Sequence, residues 1–456
     1  MERDLRYIIK LFEETGELIH VKEELDPQYE IAAALCHNVR GPALYLERVK
    51  GHRIPIVGNL LNTRKKYGIS LGIPEEETFQ RTVYGLTHPV KPTLLSDGPC
   101  QEEVILGKID LPRIFPIPSL CEKDRKPYIT AGVLIAKDIE TGARNVSINR
   151  LQLIGPDELM VGMAPSHHLF QLLKKAEARG KKLPVAIAIG NHPAVLVAAN
   201  MYVDLGFDEF EIAGGLLGRP LPLVGGKTVD VEVPASSEIV IEGEIDPTRL
   251  EEEGPFGEYS GLYESYGKSP LMKVIAMTHR RNPIFQVIFP SKHPEHLLTG
   301  SIAIEATVYE AVKRTIPGLK EVVVTEGGSG RLHVVLSVLK PKPGEAKKAI
   351  FAVFANLNLP KWVIVVDEDI NPRDPVHVEW AMATRMRADR DIVIVPGVKT
   401  DRSEPMEQGM TVAKMGIDAT KPFDFPPEMF DDAEVPKEIR QRVSRKLAGL
   451  VCSEKL

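Results

Sequence analysis

The run Glu253-Gly254-Pro255-Phe256-Gly257-Glu258 is the stretch of this chain best suited to chemistry. Two carboxylates flank a Gly-Pro-Phe-Gly turn, and Glu251-Glu252 precede them. The glycines let the backbone approach a ligand or partner closely, and Pro255 presets the start of the turn. Crowded carboxylates push one another's pKa values apart, so that one holds a proton near neutrality. Such a turn suits proton chemistry; it also suits a solvated acidic loop.

Other polar residues cluster in patterns that would serve a ligand. Arg144-Asn145-Val146-Ser147-Ile148-Asn149-Arg150 has a strand pattern, which puts Asn145, Ser147 and Asn149 on one face. Three polar side chains there need partners, from a strand edge or from a ligand. Arg150, if brought near two glutamates, would hold a substrate carboxylate and tune both acids. His167 and His168 stand at the start of a predicted helix, where a ring nitrogen suits a metal and free N–H groups suit a phosphate. Adjacent histidines point in different directions, so at most one serves a given site. In Asp208-Glu209-Phe210-Glu211, a carboxylate joined by one Asn and one His would make a mixed oxygen and nitrogen set, suited to Mn2+ or Mg2+ more than to zinc. A surface acidic turn is the plainer alternative. Lys414 follows a Gly-bearing loop and would either reach an anion or face solvent. The chain has no G-x-G-x-x-G after a strand, no Walker loop and no G-x-S-x-G elbow.

The elements that must position these residues follow from periodicity. At 456 residues, two or three domains are expected. A net charge of -6 argues against nucleic acid as the main partner, and no apolar run approaches the length of a membrane span. Cys36, Cys100, Cys121 and Cys452 are scattered, without zinc or disulfide spacing, so reduced thiols and a cytoplasmic location are expected. Residues 1–115 read as an N-terminal α/β segment that closes in the Pro-rich LPRIFPIPSL. Residues 116–300 are strand-dominated. YITAGVLIAKD, RNVSINRLQLIG, ELMVGMAP, PVAIAIG, PLPLVGG, TVDVEVPA, SEIVIEGEI, LMKVIAMTHR and PIFQVIFP suggest a closed or nearly closed barrel. One helix interrupts it, from His167 to Ala178, with Ser166 as N-cap and Gly180 as C-cap. Residues 301–430 begin with a long amphipathic helix, IAIEATVYEAVKRTI, and continue as a second α/β domain. Residues 431–456 read as a charged helical tail, packed on a partner subunit or solvated.

In this order, the segments resemble the UbiD family of prenylated-FMN-dependent decarboxylases. The resemblance is carried by Asn145 with Arg150, the histidine pair, Glu209 before Ala213-Gly214, VPASSEIVIEGEI, EGPFGEYSG, WVIVVDEDI, WAMATRM and AKMGIDAT, and it spans nearly the whole chain. It implies an α+β multidomain fold: an N-terminal α/β segment, a central split β-barrel like that of flavin reductases, and a C-terminal α/β domain. It implies Mn2+ held by Asn145, His167 and Glu209, with a one-residue slip exchanging His167 for His168, and a bound K+. Ile148, Asn149, Arg150, His168 and Lys414 would hold the prenylated FMN, Lys414 near its phosphate. Glu253, Arg150 and Glu258 would form the catalytic network, with Arg150 orienting the substrate carboxylate and Glu258 donating the proton. The modified flavin would act as electron sink for an α,β-unsaturated or aromatic acid that loses CO2. Lys292, His293 and His296 would border the substrate or stand exposed. The resemblance also implies a flavin prenyltransferase as cofactor supplier and a homodimer or larger homo-oligomer. Two other classes fit the pattern less well: a non-catalytic flavin-binding or assembly subunit, which has no use for the Arg150–Glu253–Glu258 set, and an FMN reductase, for which a nicotinamide-binding signature is missing.

Overall fold

A computed structural model of the protein describes residues 3–430 and 433–447. Cys452 and the end of the tail lie outside the described residues. The chain is α+β and multidomain, as expected from the alternation of its patterns.

The N-terminal helix Leu5–Glu14 starts on Asp4, whose carboxylate accepts from the Tyr7 N–H at 2.8 Å. It buries Leu5, Ile8, Ile9 and Phe12, the spacing of one helical face. A four-stranded sheet follows, ordered Leu18–Leu25, Ala43–Val49, Ile56–Gly58 and Phe285–Gln286. The last strand corrects one expectation: PIFQVIFP joins this N-terminal sheet and not the central one. PLPLVGG and TVDVEVPA also leave the central sheet and pair with Thr93–Leu95 in a separate three-stranded sheet. Alternation identifies a strand, but partner choice depends on contacts distant in sequence.

The central sheet has nine strands. From end to end it runs Tyr128–Ile129, Leu151–Gly155, Glu158–Val161, Lys268–His279, Ile239–Glu252, Leu183–Ile189, Val133–Lys137 and Arg144–Ile148. Glu103–Leu106, from before the Pro-rich connector, pairs with Lys268–His279. Its two ends share no strand pairing, so the sheet is not closed by hydrogen bonds. They are nevertheless tied by the chain. Asn149-Arg150 links the last strand of the order directly to the second, and Thr130–Gly132 links the first to the seventh. Two- and three-residue links reach only about 10 Å, so the sheet must curl until its ends meet. The split in the barrel therefore lies at Thr130 and Asn149-Arg150.

The helix His168–Ala178 has His167, not Ser166, as its N-cap, because the Ser166 hydroxyl is turned to Asp401. Arg179 is its C-cap, and Gly180 follows at φ +64°, the left-handed turn glycine favours. Pro294–Lys313, twenty residues and roughly 30 Å long, links the central part to the C-terminal sheet and starts earlier than its amphipathic pattern suggested. That sheet is ordered Leu319–Val324, His333–Val338, Trp362–Asp367, Thr411–Asp418 and Ile392–Lys399. Helices Arg64–Leu71, Thr78–Thr87, Pro193–Ala198 and Glu209–Leu217 were not legible as helices in the sequence. The tail helix Lys437–Leu447 is exposed along its length in the single chain. No helix of the described residues is long and apolar enough to cross a membrane.

Candidate active site

The two-residue link at the split ends on Arg150, whose side chain is buried. The long hairpin Ile239–Glu252 and Lys268–His279 delivers the two acids from the other side. Past Glu252 the hairpin continues as an arm, held by the Glu253 N–H donating to the Gly267 carbonyl at 2.8 Å. Within the arm, Phe256-Gly257 pairs with Tyr263-Glu264. Gly254 takes φ +82° before a cis bond to Pro255, but the arm keeps its direction from Glu253 to Glu258 and the chain reverses only at residues 259–262, so the tight Gly-Pro-Phe-Gly turn expected from the sequence is not formed.

Arg150 meets both carboxylates. Its Nε and Nη2 donate to Glu253 Oε1 and Oε2 at 2.5 and 3.0 Å, and Nη1 donates to Glu258 Oε2 at 2.6 Å. Its guanidinium carbon stands 3.9 Å from the Tyr266 ring centre and 4.9 Å from that of Phe256. Three of the five N–H donors are used in these bonds, leaving two for a ligand. Although burial opposes its charge, contact with Tyr266 and the two glutamates raises the Arg150 pKa. Glu253 also accepts from the Tyr266 N–H (3.3 Å) and the Ser269 hydroxyl (3.4 Å), so it anchors the guanidinium. Glu258 accepts from the Tyr259 N–H at 2.8 Å, and its Oε1 lies 4.0 Å from His296 Nε2. His296 Nδ1 faces the Ser291 carbonyl at 3.0 Å, so Nδ1 carries a hydrogen and Nε2 is the nitrogen turned to Glu258.

A cavity of about 270 Å³ opens on this group, lined by Arg150, Glu258, His167, His296, Arg331 and Asp401 among others. Ile148 and Asn149 also line it, as does Thr130 from the second link. The Asn149 amide donates to the Gly162 carbonyl at 3.0 Å and accepts from Ser147, so it braces the split. The C-terminal part closes the opposite wall. Asp401 accepts from the Ser166 hydroxyl at 2.5 Å, and the Tyr259 hydroxyl donates to the Ser403 carbonyl at 2.8 Å.

The residues assigned to a metal fall into two groups. Asn145 and Glu209 meet: the Asn145 amide donates to Glu209 Oε1 at 3.1 Å, and the Val146 N–H donates to Oε2 at 2.8 Å. Glu209 is not on a surface turn but begins a buried helix, Glu209–Leu217, capped by Asp208. Burial pushes its carboxyl up to about 8. Asn145 Oδ1 is buried without a hydrogen-bond partner, so two oxygens suited to a hard cation stand together. His167 instead lines the cavity, with Nδ1 accepting from the Ala164 N–H at 3.3 Å. His168 is half-buried and is not part of the cavity wall. No described hydrogen bond or ion pair joins either histidine to Glu209. Lys414, which would have been exposed on the plainer reading, is fully buried and donates to the carbonyls of Leu357 (3.1 Å) and Asn358 (2.8 Å). Burial lowers its pKa to about 8. It lies behind the Asn358-Leu359 stretch that lines the cavity.

His293 is corrected as a substrate residue. It is buried as the N-cap of Pro294–Lys313, and Lys292 is exposed, which leaves His296 as the one of the three that reaches the cavity. Sequence reasoning missed Gly162, Glu264, Tyr266, Arg331 and Asp401. Glu264 and Tyr266 were within reach, since a strand pairing back on Phe256-Gly257 must place them beside the acids. Gly162, Arg331 and Asp401 carry no local signal, because only tertiary contacts bring them to the site.

Family models for the 3-octaprenyl-4-hydroxybenzoate carboxy-lyase match the chain in three parts: the N-terminal domain over residues 9–85, the Rift-related domain over 93–293 and the C-terminal domain over 297–419. The chain is 37% identical over 434 residues to an anhydromevalonate phosphate decarboxylase of Methanosarcina mazei, covering 95% of this chain and 99% of that one. Among solved structures, it is similar to the UbiD-class enzyme HmfF from Pelotomaculum thermopropionicum in complex with FMN. That match has a TM-score of 0.91, 44% identity, and coverage of 97% and 99%. An evolved dimeric form of HmfF in complex with prFMN matches at TM-score 0.88 and 42% identity, covering 96% and 98%. From the three domain matches and full-length similarity, the chain belongs to the UbiD family of decarboxylases and is a carboxy-lyase.

Proposed function

We propose that the chain decarboxylates an α,β-unsaturated or aromatic carboxylic acid with prenylated FMN, Arg150 orienting the carboxylate and Glu258 donating the proton. The observation that carries this reading is the buried Arg150–Glu253–Glu258 group, of which Arg150 and Glu258 line one cavity. When bound, the modified flavin supplies the electron sink without which an sp2 carbon cannot readily lose CO2. The two unspent N–H donors of Arg150 would hold the departing carboxylate in plane, while Glu253 prevents the guanidinium from swinging toward it. Glu258, on the cavity wall, would hand a proton to the carbon that CO2 leaves. Its neighbour His296 would restore that proton by taking one from solvent on Nε2 and passing it to Glu258, returning to the neutral Nδ1–H form.

Asn145 and Glu209 would hold Mn2+, with His167 or His168 as third ligand; the unpartnered Asn145 oxygen supports a cation there. Lys414 would serve the flavin phosphate through the Leu357-Asn358 turn that it supports, and K+ would complete the site. Ile148, Asn149 and Arg150 at the split would face the flavin. The reading includes a flavin prenyltransferase as supplier, a homo-oligomeric assembly, and a cytoplasmic location compatible with free Cys36, Cys100 and Cys121. The relatives named for anhydromevalonate phosphate, and the aromatic-acid enzymes of the family, define the panel to try.

The test is anaerobic reconstitution with prenylated FMN, Mn2+ and K+, followed by measurement of CO2 release from that panel. Turnover with prenylated FMN and none with FMN is expected. Equal activity with ordinary FMN would overturn the cofactor assignment, and no CO2 from any unsaturated or aromatic acid would overturn the reaction.

A further inference from the structure

The cavity contains a second guanidinium that the reaction above does not use. Arg331 stands at the end of the turn between strands Leu319–Val324 and His333–Val338, and it is only 8% exposed. Its Nη1 donates to the carbonyls of Leu297 (3.1 Å) and Gly330 (2.8 Å). Its Nε and Nη2 have no hydrogen-bond partner among the described residues, and no described carboxylate lies within 4.0 Å of it. The side chain lines the cavity, with its guanidinium carbon 5.7 Å from the centre of the Tyr259 ring.

The fold is shaped to hold it there. The guanidinium lies flat against Gly300, in the first half of the helix Pro294–Lys313, where a Cβ would come 1.9 Å from Nη2 and 2.0 Å from the guanidinium carbon. Glycine is disfavoured inside a helix, so its presence under a buried arginine points to the arginine as the reason. No described carboxylate forms an ion pair with Arg331. Arg150 already has two carboxylates. Asp401 is occupied by the Ser166 and Ser403 hydroxyls and the Ser403 N–H. A buried cation without a paired carboxylate gains from a ligand that supplies one, and the planar fork matches carboxylate or phosphate oxygens.

We propose that Arg331 is the receptor for a second anionic group on the substrate, a carboxylate or a phosphate, distinct from the carboxylate that Arg150 orients. The enzyme would then act on acids that carry a second anionic group. This inference rests on the decarboxylase reading of the cavity. A substrate with a single charge would leave one of the two guanidinium groups unmatched, and the substrate would lose orientation as well as affinity.

The test uses the reconstituted holoenzyme and two matched pairs: benzene-1,4-dicarboxylate against benzoate, and anhydromevalonate phosphate against anhydromevalonate. Binding is followed by calorimetry and turnover by CO2 release. The member with the second anionic group in at least one pair should bind roughly 10- to 100-fold more tightly, the worth of hydrogen bonds to a charged group. The pair showing the preference distinguishes carboxylate from phosphate. Arg331→Gln should bring that ratio close to one, and Arg331→Lys should retain part of it. Gly300→Ala, which displaces the guanidinium without removing it, should also collapse the ratio. A ratio near one for both pairs in the unaltered enzyme would overturn the proposal, as would an undiminished ratio in folded Arg331→Gln protein. Preferential binding without CO2 release from any acid would leave Arg331 in this role and refute the decarboxylase reading. CO2 release without charge preference would do the reverse.

Discussion

Gly162 offers a direct test of whether the Arg150–Glu253–Glu258 geometry matters. It follows the strand Glu158–Val161, and its N–H donates to the Arg150 carbonyl at 3.0 Å. Its backbone is not in the left-handed region, so alanine would meet no conformational penalty. A Cβ there would lie 2.7 Å from both Arg150 Cγ and Glu253 Oε1, and 3.0 Å from Arg150 Nε. Ordinary contact begins at 3.4 Å, so the pair must retreat by about 0.7 Å. Neither partner has room: Arg150 is packed on Tyr266 and Phe256, and Glu253 is fixed by Arg150, Tyr266 and Ser269. Overpacking of this kind costs about 1–3 kcal/mol of stability. A displacement approaching 1 Å at a catalytic group costs on the order of 100-fold in rate. Gly162→Ala should therefore fold with a modestly lower Tm, bind flavin, and release CO2 roughly 100-fold more slowly. Gly225→Ala, where nothing lies within 4 Å of the added carbon, is the matching control and should be silent. A folded Gly162→Ala protein with near-normal kcat would show that the Arg150–Glu253 geometry does not govern the chemistry.

Other outcomes are expected from the same geometry. Glu258→Gln should lower turnover by roughly 100- to 10,000-fold while flavin absorbance after desalting stays at the unaltered level; near-normal CO2 release would remove Glu258 from the proton-donor role. Asn145→Ala and Glu209→Ala should each lose Mn2+ and flavin together on dialysis, as metal analysis would report, and unchanged metal content would count against this pair as ligands. His167→Gln and His168→Gln, assayed in the same way, identify the third ligand as whichever loses metal. Burial also holds the imidazoles of His293 and His192 below their usual 6.5, to about 4 and about 3. Each caps a helix through Nδ1 as a neutral acceptor, from Glu295 N–H and Ala194 N–H. The unfolded chain takes up these protons first, so this stability is present above about pH 6.5 and is lost as pH falls toward 4 and then 3. Tm should decline across that window, less steeply in His293→Asn; a flat Tm from pH 6.5 to 4 would contradict the capping role.

Much of this protein was determined by its sequence alone. The helix Leu5–Glu14, the strands from Leu18 to Val49 and the alternating C-terminal elements follow from apolar periodicity, a local property that survives in any tertiary setting. The polar face ending at Arg150 was equally visible, because strand alternation depends on near neighbours; the turn expected at Gly-Pro-Phe-Gly was not, since Phe256-Gly257 is extended and pairs with Tyr263-Glu264. Partner choice was not local. Whether Phe285-Gln286 joined one sheet or another, and whether Glu209 began a buried helix or lay on a surface turn, depended on residues far along the chain. The same holds for Lys414, whose burial is decided by carbonyls at Leu357 and Asn358. Above all, tertiary structure made the cavity. Two short links drew the ends of an open sheet together, a hairpin arm brought Glu253 and Glu258 to the seam, and the C-terminal sheet supplied Arg331 and Asp401. The sequence specifies which groups can titrate or bind; only long-range packing sets the distances at which they act on one another, and charge interactions depend on that distance and on the burial that goes with it.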